Sequence, residues 1–358
     1  IFIYLIRILL FSIDESILHQ NIFIFYYFGL NIIDWSAIFI AIIFQTLLFS
    51  IGIQYNKKLI NVSAITVYVG MILFFLIVFL NDVKLTAQAF SNIINLNNFV
   101  DINNLAPLIT VAGTIFAYFS ILIISFGDFS RYVKNDKELK KGNLSLILNL
   151  IIFSFFSVFI VIGSDVFLNQ KFSDIDRIFT NPTDIIGKFD NLQITIIVLF
   201  FLIIASASTN LVANYIPSQY SLINFAPTKL TLRSASYIIS FFGLLISIFW
   251  LTILSQIGIL SFIDTFGAFF GPLFGVIAAD YYLIKKEDLS NKDLYSIDKD
   301  SSYYYSGGWH IKGVYSLVIG FIFSASTIWN TDLMFLQSYA WIIGAFISWI
   351  TYYLLAKK

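Results

Sequence analysis

The sequence predicts an all-α polytopic membrane protein, and three observations carry that expectation. Hydrophobic residues fill 59 % of the 358 positions, with 40 Phe and 20 Tyr, and only 12 % are charged, about half the charge of a soluble domain. Ten mostly apolar runs, each near the length that crosses the hydrocarbon with some tilt, can be read at roughly 4–28, 36–55, 60–80, 107–127, 144–165, 192–214, 234–254, 259–284, 313–329 and 333–354. Placing the intervening segments on alternate sides sorts the basic residues. Seventeen of the 21 Lys and Arg share one face, from Arg7 and Lys57 through Arg131, Lys229 and Lys285 to Lys358; the other face holds Lys84, Lys171, Arg177 and Lys188. Cytoplasmic segments carry the positive excess, so the basic face, with the C-terminus, is expected in the cytoplasm.

Composition excludes several function classes. The formal net charge is zero and no basic stripe is present, so nucleic acid is not a partner. Cysteine is absent, which removes disulfides, thiolate metal sites and cysteine nucleophiles. His19 and His310 lie far apart in sequence, so no multi-histidine metal site can form from neighbours, and no cofactor is expected. The expected partners are membrane lipid and a small solute, and the expected state is a monomer. A bias toward Ile, Asn and Lys suggests an AT-rich bacterial genome, hence a bacterial cytoplasmic (inner) membrane. The chain opens on Ile1 within a hydrophobic run, without a start Met or signal peptide, and reads as a fragment.

The spans differ in what interrupts them. Asp14, Glu15, Ser16, His19, Gln20 and Asn21 break the first near its middle, and carboxylates inside a membrane default to functional candidates. Residues 81–105 read as an Asn-rich external connection. Span 107–127 carries Gly113, Ala117, Tyr118 and Phe119 and runs into Gly-Asp-Phe-Ser-Arg-Tyr at 127–132. There Asp128 and Arg131, three apart, can pair and lock a cytoplasmic loop. A second external loop covers 166–190, and the next cytoplasmic loop contains Pro217 and Pro227. Span 259–284 holds Gly267, Gly271, Pro272 and Gly275, residues that let neighbouring helices approach. The last two spans lack buried charge and read as peripheral packing helices.

The most informative stretch is Ala205 to Asn214, at the end of the apolar run from Ile194 to Ile204. Hydroxyls and amides at that depth are costly unless used or satisfied. On a helix Ala205, Ser208 and Thr209 share one face, and Asn210 and Asn214 share another, pointing largely the other way. That suits a helix wedged between a site for a small hard cation and a site for a planar polar solute. Small residues and Ser/Thr also serve close packing, with hydroxyls bonded back to their own helix.

Four stretches occur in an order and spacing that resemble one family: Gly-Asp-Phe-Ser-Arg-Tyr (127–132), Ser-Thr-Asn-Leu-Val-Ala-Asn (208–214), Gly-Pro-Leu-Phe-Gly-Val-Ile-Ala-Ala-Asp-Tyr-Tyr-Leu (271–283), and Asp-Leu-Tyr (293–295) followed by Gly-Gly-Trp (307–309). The chain resembles the nucleobase:cation symporter family 1, permeases for cytosine, purines, uracil, allantoin, thiamine and hydantoins. The resemblance implies a leucine-transporter-like fold of inverted repeats, with ten of twelve transmembrane helices present and the first two missing. It further implies a sodium ion held by the Ala205 carbonyl and the Ser208 and Thr209 hydroxyls, completed by carbonyls of a broken helix. Asn214 would bond the edge of a heterocycle through its donor and acceptor, with Asn210 as a second amide. The family often stacks a Trp on the substrate; here that position is Phe119, with Tyr118 beside it, and Phe still offers a π face. The family's Trp-Phe-Gly-x-Gln pattern is absent from the first span. Its Trp falls on Asp14 or Glu15 and its Gln on Leu18 or His19, so Asp14 and His19 join the candidate substrate site, pointing to a polar or cationic substrate or to proton coupling.

The reading favoured is a symporter importing a nucleobase-like heterocycle, driven by Na+ or H+. Two alternatives are an intramembrane enzyme using Asp14, Glu15 and His19 as acid–base groups, and a transporter-like solute sensor. No nucleophile–base pair or metal set supports the first, and no attached signalling domain supports the second.

Overall fold

The computed structural model describes residues 25–50, 53–93, 105–171, 191–252, 259–294 and 298–357, with residues 6, 178, 180, 185, 186 and 296. Among them the chain is helical, and the only β pairings are the isolated bridges Tyr27–Leu30 and Ser306–Trp309. Nine helices among the described residues are long and apolar enough to cross a membrane. Of the first expected span, 4–28, residues 6 and 25–28 are described, the latter outside any helix, and Asp14, Glu15 and His19 lie outside the described residues. The chain divides into two compact units, residues 1–96 with 128–253, and residues 97–127 with 254–358.

The first unit contains α1 (Ile32–Ser50), α2 (Ile53–Asn81), α3 (Val83–Ile93), α6 (Asp136–Lys171), α7 (Leu192–Asn210), α8 (Ile216–Phe225) and α9 (Leu232–Thr252). Helix α1 starts where Asn31 and Asp34 satisfy each other's backbone N–H groups, at 2.9 and 3.1 Å, a reciprocal cap of orphan donors. The expected connection 81–105 begins with helix α3, a difference from the sequence reading. Its Phe90 stacks on Phe159 of α6 with ring centroids 3.6 Å apart, and Thr86 is buried. Those contacts, rather than the Asn-rich composition, decide its conformation. Gly163 lets α6 close on Val78 and Thr86, and Tyr68 of α2 donates to Asn149 Oδ1 of α6 at 2.6 Å.

The second unit contains α4 (Leu105–Ile124), α10 (Ile259–Ala279), the short α11 (Asn291–Leu294), α12 (Ile311–Trp329), the 3-10 segment Thr331–Tyr339 and α13 (Ala340–Ala356); the short α5 (Phe126–Ser130) lies at the junction of the two units. Helix α10 is the centre of this unit, packing against α4, α12 and α13. A stripe of Gly267, Gly271 and Gly275 explains the approach: an added methyl would meet Ala117, the Trp341 carbonyl and the Ala345 carbonyl respectively. With lipid tails as apolar as any side chain, close van der Waals contact and polar bonds between helices hold such a bundle. The Ser348 hydroxyl supplies one, donating to the Pro272 carbonyl at 2.8 Å. The last two helices, which the sequence presents as packing helices, close tightly on α10 and on each other.

Beyond α10 a π-helical turn, Asp280–Ile284, leads into a clamped loop. Gly307 and Gly308 both have left-handed backbone, φ 63° and 86°, which glycine adopts without a steric penalty. The turn they make returns His310 onto Tyr305, rings 3.9 Å apart and 10° from parallel. Tyr352 donates to Asp280 Oδ1 at 2.6 Å and lies 3.2 Å from His310 Nε2. In the same loop Ser302 donates to Asp293 Oδ2 at 2.6 Å, and that bond holds the Asp293 carboxyl below its ordinary range. Burial pushes the His310 imidazole below its usual value, opposed by the nearby Asp280 charge.

Two outcomes are expected. Gly275→Val forces α10 and α13 apart and destabilises the detergent-solubilised full protein by about 1–3 kcal/mol, the range for overpacked cores; unchanged unfolding contradicts the packing described. Because His310 binds its proton less readily folded than unfolded, its contribution is complete above about pH 6.5 and declines as pH falls through that value. Thermal unfolding from about pH 7.5 to about pH 5.5 should show that loss, and His310→Gln should flatten it.

Candidate functional site

Helix α7 starts at Asn191, whose side chain accepts the Ile194 N–H at 3.1 Å. It continues as regular helix to Asn210 and then widens into a π turn, Leu211–Tyr215, before α8. Pro217 stands just beyond. Its ring crowds the carbonyl four residues earlier and it has no N–H to give, so the ordinary helical register cannot run through unchanged. The wider turn, with the Ile216 N–H reaching the Leu211 carbonyl, accommodates this. Such π bulges within α-helices are frequent at functional sites. Here the polar run Ala205–Asn214 spans the change of register.

The turn is held from outside by hydroxyls. Thr46 of α1 donates to Ser240 Oγ of α9 at 2.6 Å, and Ser240 Oγ lies 3.1 Å from the Tyr215 hydroxyl. Gln219 of α8 donates to the Leu232 carbonyl at 2.6 Å and to Ser236 Oγ at 3.0 Å. Phe49, Leu211 and Tyr215 bury together beneath them. The Gly-Asp-Phe-Ser-Arg-Tyr loop fastens the far end. Arg131 pairs with Asp128 at 3.0 Å and lies 4.5 Å over the Tyr220 ring of α8, while the hydroxyls of Tyr132 and Tyr220 bond each other. Burial, then the Tyr220 contact, pushes the Tyr132 hydroxyl up to about 12. The loop thus anchors the helix that follows the polar run.

Within the run, the Ser208 hydroxyl donates to the Ala205 carbonyl at 3.1 Å, the bond back to its own helix that serves close packing as well as a cation site. Thr209 is exposed on this unit. Asn214 Nδ2 donates to Asn210 Oδ1 at 2.6 Å, so the two amides act as one group, with Asn214 exposed and Asn210 half-buried. Two cavities flank the helix. One of about 320 Å³ is apolar and touches Ala205, with Gly70, Phe74, Phe153 and Phe201 among its walls. The other, of about 290 Å³, lies between α1 and α7 and is lined by Gln45, Ser206, Ala207 and Asn210. Among the described residues Gln45 Oε1 is buried there without a hydrogen-bond partner, an uncompensated polar oxygen of the kind that asks for a ligand or water.

In the second unit Tyr118 and Phe119 pack edge to face, 5.2 Å apart at 84°, with Tyr118 59 % exposed and Phe119 half-buried. Asp14 and His19 lie outside the described residues. The sequence reading singles out neither Gln45 nor Asp264, which is buried within α10. The signal for both is a lone amide or carboxylate in an otherwise apolar span.

Comparison with known proteins fits this arrangement. Residues 18–351 match the profile of the family described as permease for cytosine/purines, uracil, thiamine, allantoin. The chain is 28 % identical to an allantoin permease of Bacillus subtilis (strain 168) over 68 % of its own length and 48 % of that protein's. It is 26 % identical to the purine-uracil permease NCS1 of Arabidopsis thaliana, covering 68 % and 41 %, and 26 % identical to a putative allantoin permease of Escherichia coli (strain K12), covering 70 % and 50 %. The chain spans about half the length of these relatives. Its fold is similar to the inward-facing conformation of Mhp1, with TM-score 0.59 and 18 % identity over 99 % of this chain and 72 % of the other, which places it in the leucine-transporter-like class. From its helices and its family match together, the chain is a multi-pass membrane protein that belongs to the family of permeases for cytosine/purines, uracil, thiamine and allantoin.

Proposed function

We propose that the full protein is a secondary active symporter that imports a nucleobase or related nitrogen heterocycle, of the cytosine, uracil, purine, allantoin, hydantoin or thiamine-like class, coupled to Na+ or H+. The observation that carries this reading is the polar run Ala205–Asn214, which borders two cavities between Ala205 and Asn210 and then passes into a π turn. A family made up of permeases supports transport over the acid–base enzyme reading.

On this reading the Ala205 carbonyl and the Ser208 and Thr209 hydroxyls supply neutral oxygens to a sodium ion, with further carbonyls from a broken helix completing its shell. The linked amides of Asn210 and Asn214 meet the lactam or amidine edge of the solute, each offering a donor and an acceptor. Gln45 faces the same cavity as Asn210, so its unpartnered oxygen is placed to accept a ring N–H. Tyr118 or Phe119 supplies a stacking face, and Asp14 and His19 remain candidates from the sequence for a polar substituent. Coupling arises because the ion orders the same helix that presents the amides. Import across a bacterial inner membrane, a cytoplasmic C-terminus and a monomeric state complete the proposal.

Two measurements on the full-length protein in vesicles test it. Thr209→Ala should lower heterocycle uptake and its sodium dependence together; uptake that stays normal and sodium-responsive removes the ion assignment. Asn214→Leu and Gln45→Leu should each weaken solute binding by about tenfold, the equivalent of one lost hydrogen bond. Unchanged affinity in both variants contradicts the amide site.

A further inference from the structure

The buried carboxyl of Asp264 has no part in the site just described. It lies in the second unit, about one and a half turns into α10, and is 8 % exposed. Its contacts are neutral. Gln337, on the 3-10 segment between α12 and α13, donates from Nε2 to Oδ2 at 2.8 Å, and the Thr114 side chain of α4 stands near the same carboxyl. No Lys, Arg or His pairs with Asp264 among the described residues.

The elements packed against α10 carry few titratable groups: Tyr118 on α4, and Asp332 and Tyr339 on the 3-10 segment. Helix α12 carries Lys312 and Tyr315, α13 carries Tyr352 and Tyr353, and the π turn carries Asp280, Tyr281 and Tyr282. Lys312 sits at the start of α12, whereas Gln337 follows that helix's end at Trp329, about 25 Å away along the axis at 1.5 Å per residue. Tyr352 and Asp280 bond each other near His310. None of these supplies the cation that a buried carboxylate ordinarily has.

An isolated ionised carboxyl is expensive inside a membrane, and such residues recur in proton relays. The two partners suit both protonation states. Toward a carboxylate, Gln337 donates and the nearby Thr114 hydroxyl has a proton to offer. Toward a carboxylic acid, Gln337 donates to the carbonyl oxygen while the Thr114 hydroxyl turns to accept the acid proton, since a hydroxyl has both capacities. A group that needed to be permanently charged would be given a cation, and a purely packing residue would carry no carboxyl.

We propose that Asp264 is a proton-binding site, with Gln337 and Thr114 as its hydrogen-bond partners in both the acid and carboxylate forms. One proton is taken from water and later returned to water, and no other bond forms or breaks. As the proton taken up in transport, it rests on the permease reading above; as a titrating group, it stands without it.

The test uses the full-length protein. Infrared difference spectra across a pH titration should show a protonated-carboxyl band in the wild type that disappears in Asp264→Asn. Gln337→Leu, which keeps the carboxyl but removes a donor to its charged form, should move the midpoint of that band to higher pH, and it serves if Asp264→Asn does not fold. In vesicles, wild-type heterocycle uptake should fall about tenfold per pH unit above the midpoint, as one linked proton requires, whereas Asp264→Asn uptake should be flat. A band that persists in Asp264→Asn, or a midpoint unmoved in Gln337→Leu, overturns the site. Loss of the band in Asp264→Asn alongside a retained wild-type pH slope overturns its role in transport. If the wild type takes up no heterocycle at any pH while the band behaves as described, the permease reading fails and the proton site stands.

Discussion

Inside a bilayer a polar group that is not bonded within the protein stays unbonded, because the hydrocarbon offers it nothing. That constraint accounts for most of what this chain does with its hydroxyls and amides. Thr46, Ser240 and Tyr215 form a hydroxyl chain across three elements, Gln219 spans α8 and α9, and Ser348 closes on the Pro272 carbonyl. Against that background four buried side-chain atoms lack a partner among the described residues, Gln45 Oε1, Thr86 Oγ1, Ser164 Oγ and Trp341 Nε1, and of these Gln45 lines the cavity beside Asn210.

The same constraint explains why the polar run lies where it does. A regular helix bonds all its backbone groups to itself and leaves a ligand only side chains. Widening to the π turn at Leu211–Tyr215 shifts the register of the amides that follow, and Pro217 enforces the change. The anchors around it, from the Arg131–Tyr220 contact to the Phe49–Leu211–Tyr215 cluster, keep the break local. A local irregularity held on both sides is what positioning a solute requires.

Much of the membrane architecture was legible in the apolar runs, since twenty such residues have few alternatives to a spanning helix. The polar run 205–214 and the Asp128–Arg131 pair were legible for the same reason: each is conspicuous against an apolar background, and the ion pair forms at 3.0 Å. What could not be read is set by neighbours distant in sequence. Helix α3 exists because Phe90 finds Phe159. The close packing of α12 and α13 on α10 depends on α13 carbonyls meeting Gly271 and Gly275 and on Gly320 and Gly344 closing on Pro272, pairings that composition alone presents as featureless. Gln45 and Asp264 were hidden because a single polar residue in an apolar span announces cost but not location.

The most direct test of the account is whether solute occupies the hollow beside α7. In the full-length protein with Ser206→Cys as its single cysteine, a membrane-permeant thiol reagent should label position 206. A transported heterocycle should slow that labelling, and more so in the presence of the coupling ion. Labelling that proceeds at the same rate with every heterocycle the protein transports would contradict the account.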